Sequence, residues 1–225
     1  MKAVILAGGL GTRISEETHL KPKPMIEIGG MPILWHIMKL YSYYGFNRFI
    51  LALGYKSEYI KQYFYNYKNT GSDFSLRMDH GKSITYLNNS DEKDWEIVFV
   101  DTGLDTLKGA RIKRLEKYIE SDIFHLTYGD GICDVNIKEL LKFHGSHKMD
   151  ATVTAVRPPS RFGELQIDNN NTVLNLEEKP QMGKGLINGG FFIFKKKIFT
   201  YLTDDESCDF EFGPLQNITS ENQLK

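Results

Sequence analysis

Ala3, Val4, Ile5, Leu6 and Ala7 form an unbroken aliphatic block closed by Gly8 and Gly9. A short apolar run without polar alternation is what a strand covered on both faces requires, and such strands belong to parallel sheets sheathed by helices. This one feature confines the chain to α/β architectures. It also puts a glycine-rich loop at the carboxyl end of the first strand, which is where open α/β sheets bind their ligands.

The rest of the chain keeps the alternation. Helical spacing runs from Ile33 to Tyr44, with Gly45 as the stop, and a second strand is expected over Arg48 to Leu53. Tyr59, Ile60, Tyr63, Phe64 and Tyr67 share one side of a helix read over Lys56 to Tyr67, an aromatic stripe that is expected to make core contacts. Ser72 to Asn89 and Glu96 to Asp101 read as strand pieces around a polar turn, and Ala110 to Ile119 as a helix. Phe124 to Tyr128 is another short buried strand, followed by a helix over Ile137 to His147. Strands follow at Ala151 to Val156, Glu164 to Ile167, Thr172 to Leu176 and Asn188 to Phe194, then a helix over Lys195 to Leu202 and the start of one more at Phe212 to Thr219. The expected fold is a Rossmann-like, doubly wound, mostly parallel mixed sheet with helices on both faces. The loops after Ala7, Tyr128 and Leu176 are the candidate ligand sites.

Composition removes several function classes. Twenty-eight Lys and Arg against 29 Asp and Glu leave a net charge of −1, so no overall field gathers nucleic acid or an acidic membrane. No stretch reaches the roughly 18 apolar residues of a membrane span, and the first apolar run is too short for a secretory leader. Cys133 and Cys208 lie far apart without metal-ligand spacing, and read as reduced thiols of a cytoplasmic protein.

The first loop reads Gly8-Gly9-Leu10-Gly11-Thr12-Arg13. Its glycines uncover backbone amides for phosphate oxygens. A dinucleotide fingerprint fails because Ile14 stands where the third glycine is required, and a Walker A loop fails at Gly81-Lys82-Ser83 because Leu76 stands where its first glycine belongs. Arg13 can fork two phosphate oxygens, and Lys23 is held between Pro22 and Pro24, so the loop with its cations suggests a triphosphate. The bland alternative is a surface turn with solvated lysines. Asp130, between Gly129 and Gly131, offers the single carboxylate that Mg²⁺ takes alongside phosphate oxygens and water; the alternative is an aspartate favoured by a tight turn.

Together with Glu178-Lys179-Pro180 and Asn188-Gly189-Gly190, these motifs resemble the sugar-1-phosphate nucleotidyltransferases. Ser15-Glu16-Glu17-Thr18, the Pro32 to Met38 segment, Val100-Asp101-Thr102-Gly103, Thr127 to Gly131 and Arg161-Phe162-Gly163 are most similar to the glucose-1-phosphate cytidylyltransferase branch. The resemblance implies a Mg²⁺-dependent transfer of a cytidylyl group from CTP to α-D-glucose 1-phosphate, with pyrophosphate released. Carried over by position, Leu6, Ala7, Gly8, Gly9, Leu10, Gly11, Thr12 and Arg13 would cradle the nucleotide, Arg13 would hold the departing pyrophosphate, and Lys23 would neutralise the α-phosphate. Thr106, Arg111 and Gly129 would complete the nucleotide site, Lys179 would bind the sugar phosphate, and Asn188 and Gly189 would meet sugar hydroxyls. Asp130 would hold the metal. The bland alternatives are that Thr106 and Arg111 are surface residues beside a helix start and that Asn188 caps a strand.

The resemblance further implies a homo-oligomer. Family members continue past the Pro214-Leu215 segment to a second metal-binding aspartate, whereas this sequence ends at Lys225. The expectation is one domain over 1–225 that lacks this segment. Three explanations stay open for the second ligand: a truncated sequence, Asp209 or Glu211 as substitute, or Asp130 with substrate oxygens alone. Competing expectations are transfer from dTTP or UTP, and a nucleotide- or sugar-phosphate-binding protein without catalysis.

Overall fold

The computed structural model describes residues 1–10, 20–78, 83–88, 92, 94–158, 163–178 and 185–225. Among them, six strands form one sheet: β1 (Ala3–Leu6), β2 (Arg48–Leu53), β3 (Glu96–Asp101), β4 (Ile123–Tyr128), β5 (Ala151–Val156) and β6 (Ile187–Lys195), in the order β3-β2-β1-β4-β6-β5. The pairs β1–β2, β1–β4 and β2–β3 are parallel, while β6 runs antiparallel to both β4 and β5. The sheet is therefore mixed and mostly parallel, as the alternation of elements predicts.

The aliphatic block earns its place in the centre. Val4 and Leu6 face one core with Phe124, Phe192, Phe194 and Phe210, and Ala3, Ile5 and Ala7 face the other with Leu34, Met38, Tyr41 and Phe191. Alternate side chains point to opposite faces, and because helices cover both faces no polar residue is tolerated in the run. Helices α1 (Ile33–Tyr43), α2 (Ser57–Gly71) and α4 (Ile137–Gly145) supply the second core, whereas α3 (Lys108–Lys113), α5 (Pro214–Ser220) and a 3₁₀ segment at Lys196–Tyr201 close the first. Asn136 caps α4 by accepting the Glu139 N–H at 3.1 Å.

Several boundaries differ from expectation. The helix read over Ala110 to Ile119 starts two residues earlier and gives way to a 3₁₀ turn at Glu116–Tyr118, and the one read over Lys195 to Leu202 is wholly 3₁₀. The aromatic stripe of α2 is only partly core: Ile60 is fully buried and Tyr63 and Phe64 pack against the cluster, but Tyr59 is exposed. That helix lies over β3, an edge strand, where the sheet cannot cover a whole helical face. The strands at Glu164–Ile167 and Val173–Glu177 form a separate two-stranded sheet, so the loop after Leu176 does not leave the main sheet.

Strand order reverses direction between β2 and β4, on either side of β1. A crevice opens at the carboxyl ends of strands where the connections diverge in this way. Both cysteines are free thiols, and among the described residues no helix is long and apolar enough to cross a membrane.

Candidate active site

A cavity of about 590 Å³ sits at that crevice. Leu6 to Leu10 form one wall, Lys23 and Pro24 another, and Tyr128 and Asp130 enter from the end of β4; Leu104 to Lys108, Arg111, Asn188 and Glu211 complete the lining. The glycine loop and the carboxylate after β4, both predicted from sequence, thus border the same space. Lys23 Nζ and Asp130 Oδ2 meet in an ion pair at 2.5 Å, although the two residues are 107 positions apart.

Each glycine has its own reason. A Cβ on Gly8 would lie 2.5 Å from Arg111 Nη1 and 2.9 Å from the Gly54 amide nitrogen, whereas a Cβ on Gly9 would meet nothing within 4 Å. Gly8 is therefore glycine for packing behind the wall, and Gly9 stands on its open side. Gly129 is absent from the lining; its N–H donates to the Leu6 carbonyl at 2.9 Å, and a Cβ there would strike that oxygen at 2.7 Å. Its place is to bring the end of β4 against the end of β1. Gly189 likewise packs on β5, where a Cβ would lie 2.9 Å from both Thr154 O and Val156 Cγ1, and it too is absent from the lining.

Thr106 and Arg111 are not surface residues: they are 4% and 3% exposed. The Arg111 guanidinium donates to the carbonyls of Leu53, Gly103 and Leu104 and to the Thr102 hydroxyl, at 2.6–3.2 Å. Burial, followed by the charge of Arg114, lowers its pKa from the ordinary arginine value. Arg114 donates to Thr102 O at 2.7 Å and to Thr106 Oγ1 at 2.9 Å. Two arginines thus bolt the segment before α3 to the end of β2, and the shape of that cavity wall depends on them. Arg111 faces the cavity with most of its donors already engaged on the backbone, a role in shaping the site that its sequence position alone does not reveal.

Lys108 and Tyr128 are not binding residues in the sequence reading, and Glu211 enters it only as a substitute metal ligand, yet all three line the cavity. Glu211 Oε1 accepts from Lys108 Nζ at 2.5 Å and from the Tyr128 hydroxyl at 2.7 Å. Burial first, then the hydrogen bond and charge of Glu211, raise the Tyr128 pKa and keep it a phenol. Asn188 does not simply cap a strand: its Oδ1 accepts the Gly190 N–H at 2.8 Å and its Nδ2 reaches the Tyr128 hydroxyl at 3.4 Å. Gly11, Thr12, Arg13 and Lys179 lie outside the described residues. Asp209, considered with Glu211 as a second metal ligand, accepts the Glu211 and Phe212 N–H groups at 2.8 and 3.3 Å, and among the described residues no three His, Cys, Asp or Glu side chains cluster as a metal site.

A nucleotidyl transferase family model matches residues 2–215. The chain belongs to the nucleotidyl transferase family. It is 45% identical over its full 225 residues to the glucose-1-phosphate cytidylyltransferase of Salmonella typhi, covering 86% of that relative, and 44% identical to a probable glucose-1-phosphate cytidylyltransferase of Bacillus subtilis (strain 168), with the same 86% coverage. Among solved structures, HddC from Yersinia pseudotuberculosis complexed with GMP-PN is 30% identical, with a TM-score of 0.64 over 94% of this chain and 83% of that one. For a nucleotidyl transferase, a cavity bordered by a glycine run, a lysine and a carboxylate at the switch point has the donors and charges that a triphosphate needs.

Proposed function

We propose that this chain transfers a cytidylyl group from CTP to α-D-glucose 1-phosphate, forming CDP-glucose and pyrophosphate. The observation that carries the reading is identity of 44–45% over the whole chain to glucose-1-phosphate cytidylyltransferases. A phosphate oxygen of the sugar attacks the α-phosphorus of CTP, and the bond from that phosphorus to the β-phosphate bridging oxygen breaks. Both substrates are anions, so catalysis rests on positioning and on charge neutralisation.

In this reading the backbone of Leu6 to Gly11, with Thr12, holds the nucleotide, Lys23 supplies positive charge to the α-phosphate, and Arg13 receives the departing pyrophosphate. The wall from Leu104 to Lys108, fixed by Arg111 and backed by Thr106, gives the nucleotide pocket its outline, with Gly129 locking the neighbouring strand end. Lys179 takes the sugar phosphate, and Asn188 and Gly189 belong to the sugar side. Asp130 suits Mg²⁺: it is a hard oxygen donor, partly exposed on the wall of a cavity of triphosphate size, and Mg²⁺ is satisfied by one or two carboxylates with phosphate oxygens and water. Bound there, the ion would neutralise the charge on the phosphates. Lys23, paired to Asp130 at 2.5 Å, is within reach of the same oxygens.

The test is pyrophosphate release with Mg²⁺, glucose 1-phosphate and each nucleoside triphosphate in turn. CTP is expected to turn over fastest. Faster turnover with dTTP or UTP would overturn the cytidylyl assignment. Thermal stabilisation by CTP without product would indicate a binding protein instead. A homo-oligomer in the cytoplasm is part of the same reading, and light scattering on the eluted protein measures its mass.

A further inference from the structure

Every described cation on the cavity wall is already engaged. Lys23 is paired with Asp130 and Lys108 with Glu211, and the Arg111 guanidinium is spread over backbone carbonyls and the Thr102 hydroxyl. With Asp105 included, the described lining carries three cationic and three anionic side chains, so it offers a polyanion no surplus of positive charge. A triphosphate gains a lysine from this wall only when one of these contacts opens.

The Lys23–Asp130 contact is the one free to open. Both side chains are partly exposed, at 23% and 39%, and Lys23 Nζ has no other hydrogen-bond partner among the described residues. Arg111 is buried, and Glu211 holds Lys108 and the Tyr128 hydroxyl on one oxygen while its other oxygen is shielded from solvent. The backbone beneath Lys23 is fixed. Pro24 and Met25 are buried in the 3₁₀ turn Lys23–Met25, the Ile26 N–H donates to Lys23 O at 3.1 Å, and Pro24 Cγ lies only 3.3 Å from where a Cβ on Gly129 would stand. The turn therefore presents the ammonium beside Asp130, and only the flexible four-carbon stem has to swing.

An ammonium 2.5 Å from Oδ2 occupies the oxygen that a divalent cation would take, and its charge repels a second cation at the other oxygen. Mg²⁺ is satisfied by one or two carboxylates with phosphate oxygens and water, and among the described residues no three His, Cys, Asp or Glu side chains gather as a metal site. The carboxylate suited to the ion is thus the one that Lys23 neutralises. We propose, resting on the reaction given above, that Lys23 is an exchangeable internal counter-ion of Asp130. Its ammonium keeps the carboxylate closed to divalent cations until the phosphates of a nucleotide draw it away. Lys23 thereby opposes metal binding in the free protein and supports phosphate binding in the complex.

Metal affinity without nucleotide isolates the first half of that role and needs no turnover. Mn²⁺, which takes the same oxygen donors as Mg²⁺, is titrated into the nucleotide-free parent, Lys23→Met, Lys23→Ala and the double variant Lys23→Met/Asp130→Asn, with electron paramagnetic resonance reporting the free ion. Removing Lys23 is expected to tighten Mn²⁺ binding about 10-fold or more, the scale of a unit charge repelling a divalent ion a few ångströms away at a protein surface. The gain should vanish in the double variant, which assigns it to Asp130. General damage to the site would weaken binding, so a gain that depends on Asp130 reports the exchange. Equal or weaker Mn²⁺ binding in both Lys23 variants overturns the proposal, as does a gain that survives Asp130→Asn. Pyrophosphate release by the parent tests the reaction separately: an active parent whose Mn²⁺ affinity is indifferent to Lys23 overturns the exchange alone, and an inactive parent overturns the reaction.

Discussion

Lys23 lies in a 3₁₀ turn between two prolines and Asp130 at the end of a strand, and their ion pair across the cavity joins the two halves of the site. In the proposed reaction, both groups act on the charge that builds on the transferring phosphoryl group. Lys23→Ala and Asp130→Asn are each expected to lower kcat by roughly 10²–10³-fold, the scale for losing one preorganised electrostatic contact. Single-turnover pyrophosphate release measures this, and near-parental rates in either variant would sink the role given to it. Arg111 makes a different kind of contribution. Arg111→Met leaves the carbonyls of Gly103 and Leu104 without the donor they share, whereas the Leu53 carbonyl keeps the Thr102 N–H and hydroxyl. A stability loss of roughly 2–4 kcal/mol in urea unfolding is expected, since each buried polar group left unpaired costs about 1–3 kcal/mol. A loss of activity with unchanged stability would contradict this shaping role.

At the scale of elements, the irregularity in the pairing of β6 and the end of β4 are matched to each other. Gly190 has φ +81°, and a Cβ there would lie 2.8 Å from Tyr128 Cδ2. Only glycine takes that backbone angle freely, and only glycine leaves room for the ring. Gly190→Ala should therefore cost about 1–3 kcal/mol of stability and also disturb the Tyr128–Glu211 contact, so substrate affinity falls along with Tm. The same substitution at Gly9, where a Cβ would meet nothing within 4 Å, should leave Tm almost unchanged and act only on nucleotide binding. Equal Tm losses at the two positions would refute the distinction between a packing glycine and an approach glycine.

For the whole molecule, two buried histidines set the response to acid. His125 is fully buried between Tyr41 and Phe46, and burial lowers its pKa to about 3. His144 is lowered to about 4, again first by burial. An unfolded histidine titrates near 6.5, so below that pH the unfolded chain takes up protons that the folded chain refuses. The contribution of these two histidines to stability is complete above about pH 6.5 and is lost as pH falls toward 4. Tm should drop between pH 7 and pH 5, where most carboxylates remain ionised, and His125→Phe should flatten the slope. A slope that is identical in the variant would place the acid response elsewhere.

The aliphatic block, the helix spacings and the glycine loop were legible in the sequence because periodicity and φ requirements are local properties. They determined the α/β class, the strand at the centre of the sheet and the loop that borders the cavity. Flanking prolines and glycines singled out Lys23 and Asp130, and the family resemblance added Asn188. What the tertiary structure decided are relations between distant positions. It placed Lys23 beside Asp130, turned Arg111 onto backbone carbonyls, put Gly129 and Gly189 behind the wall as packing glycines, and gathered Lys108, Tyr128 and Glu211 from α3, β4 and the turn before α5. Each of those three residues is ordinary in its own segment. Only the crossing of the chain at the switch point brings them together, because strand order and crevice are products of non-local pairing that no sequence window contains.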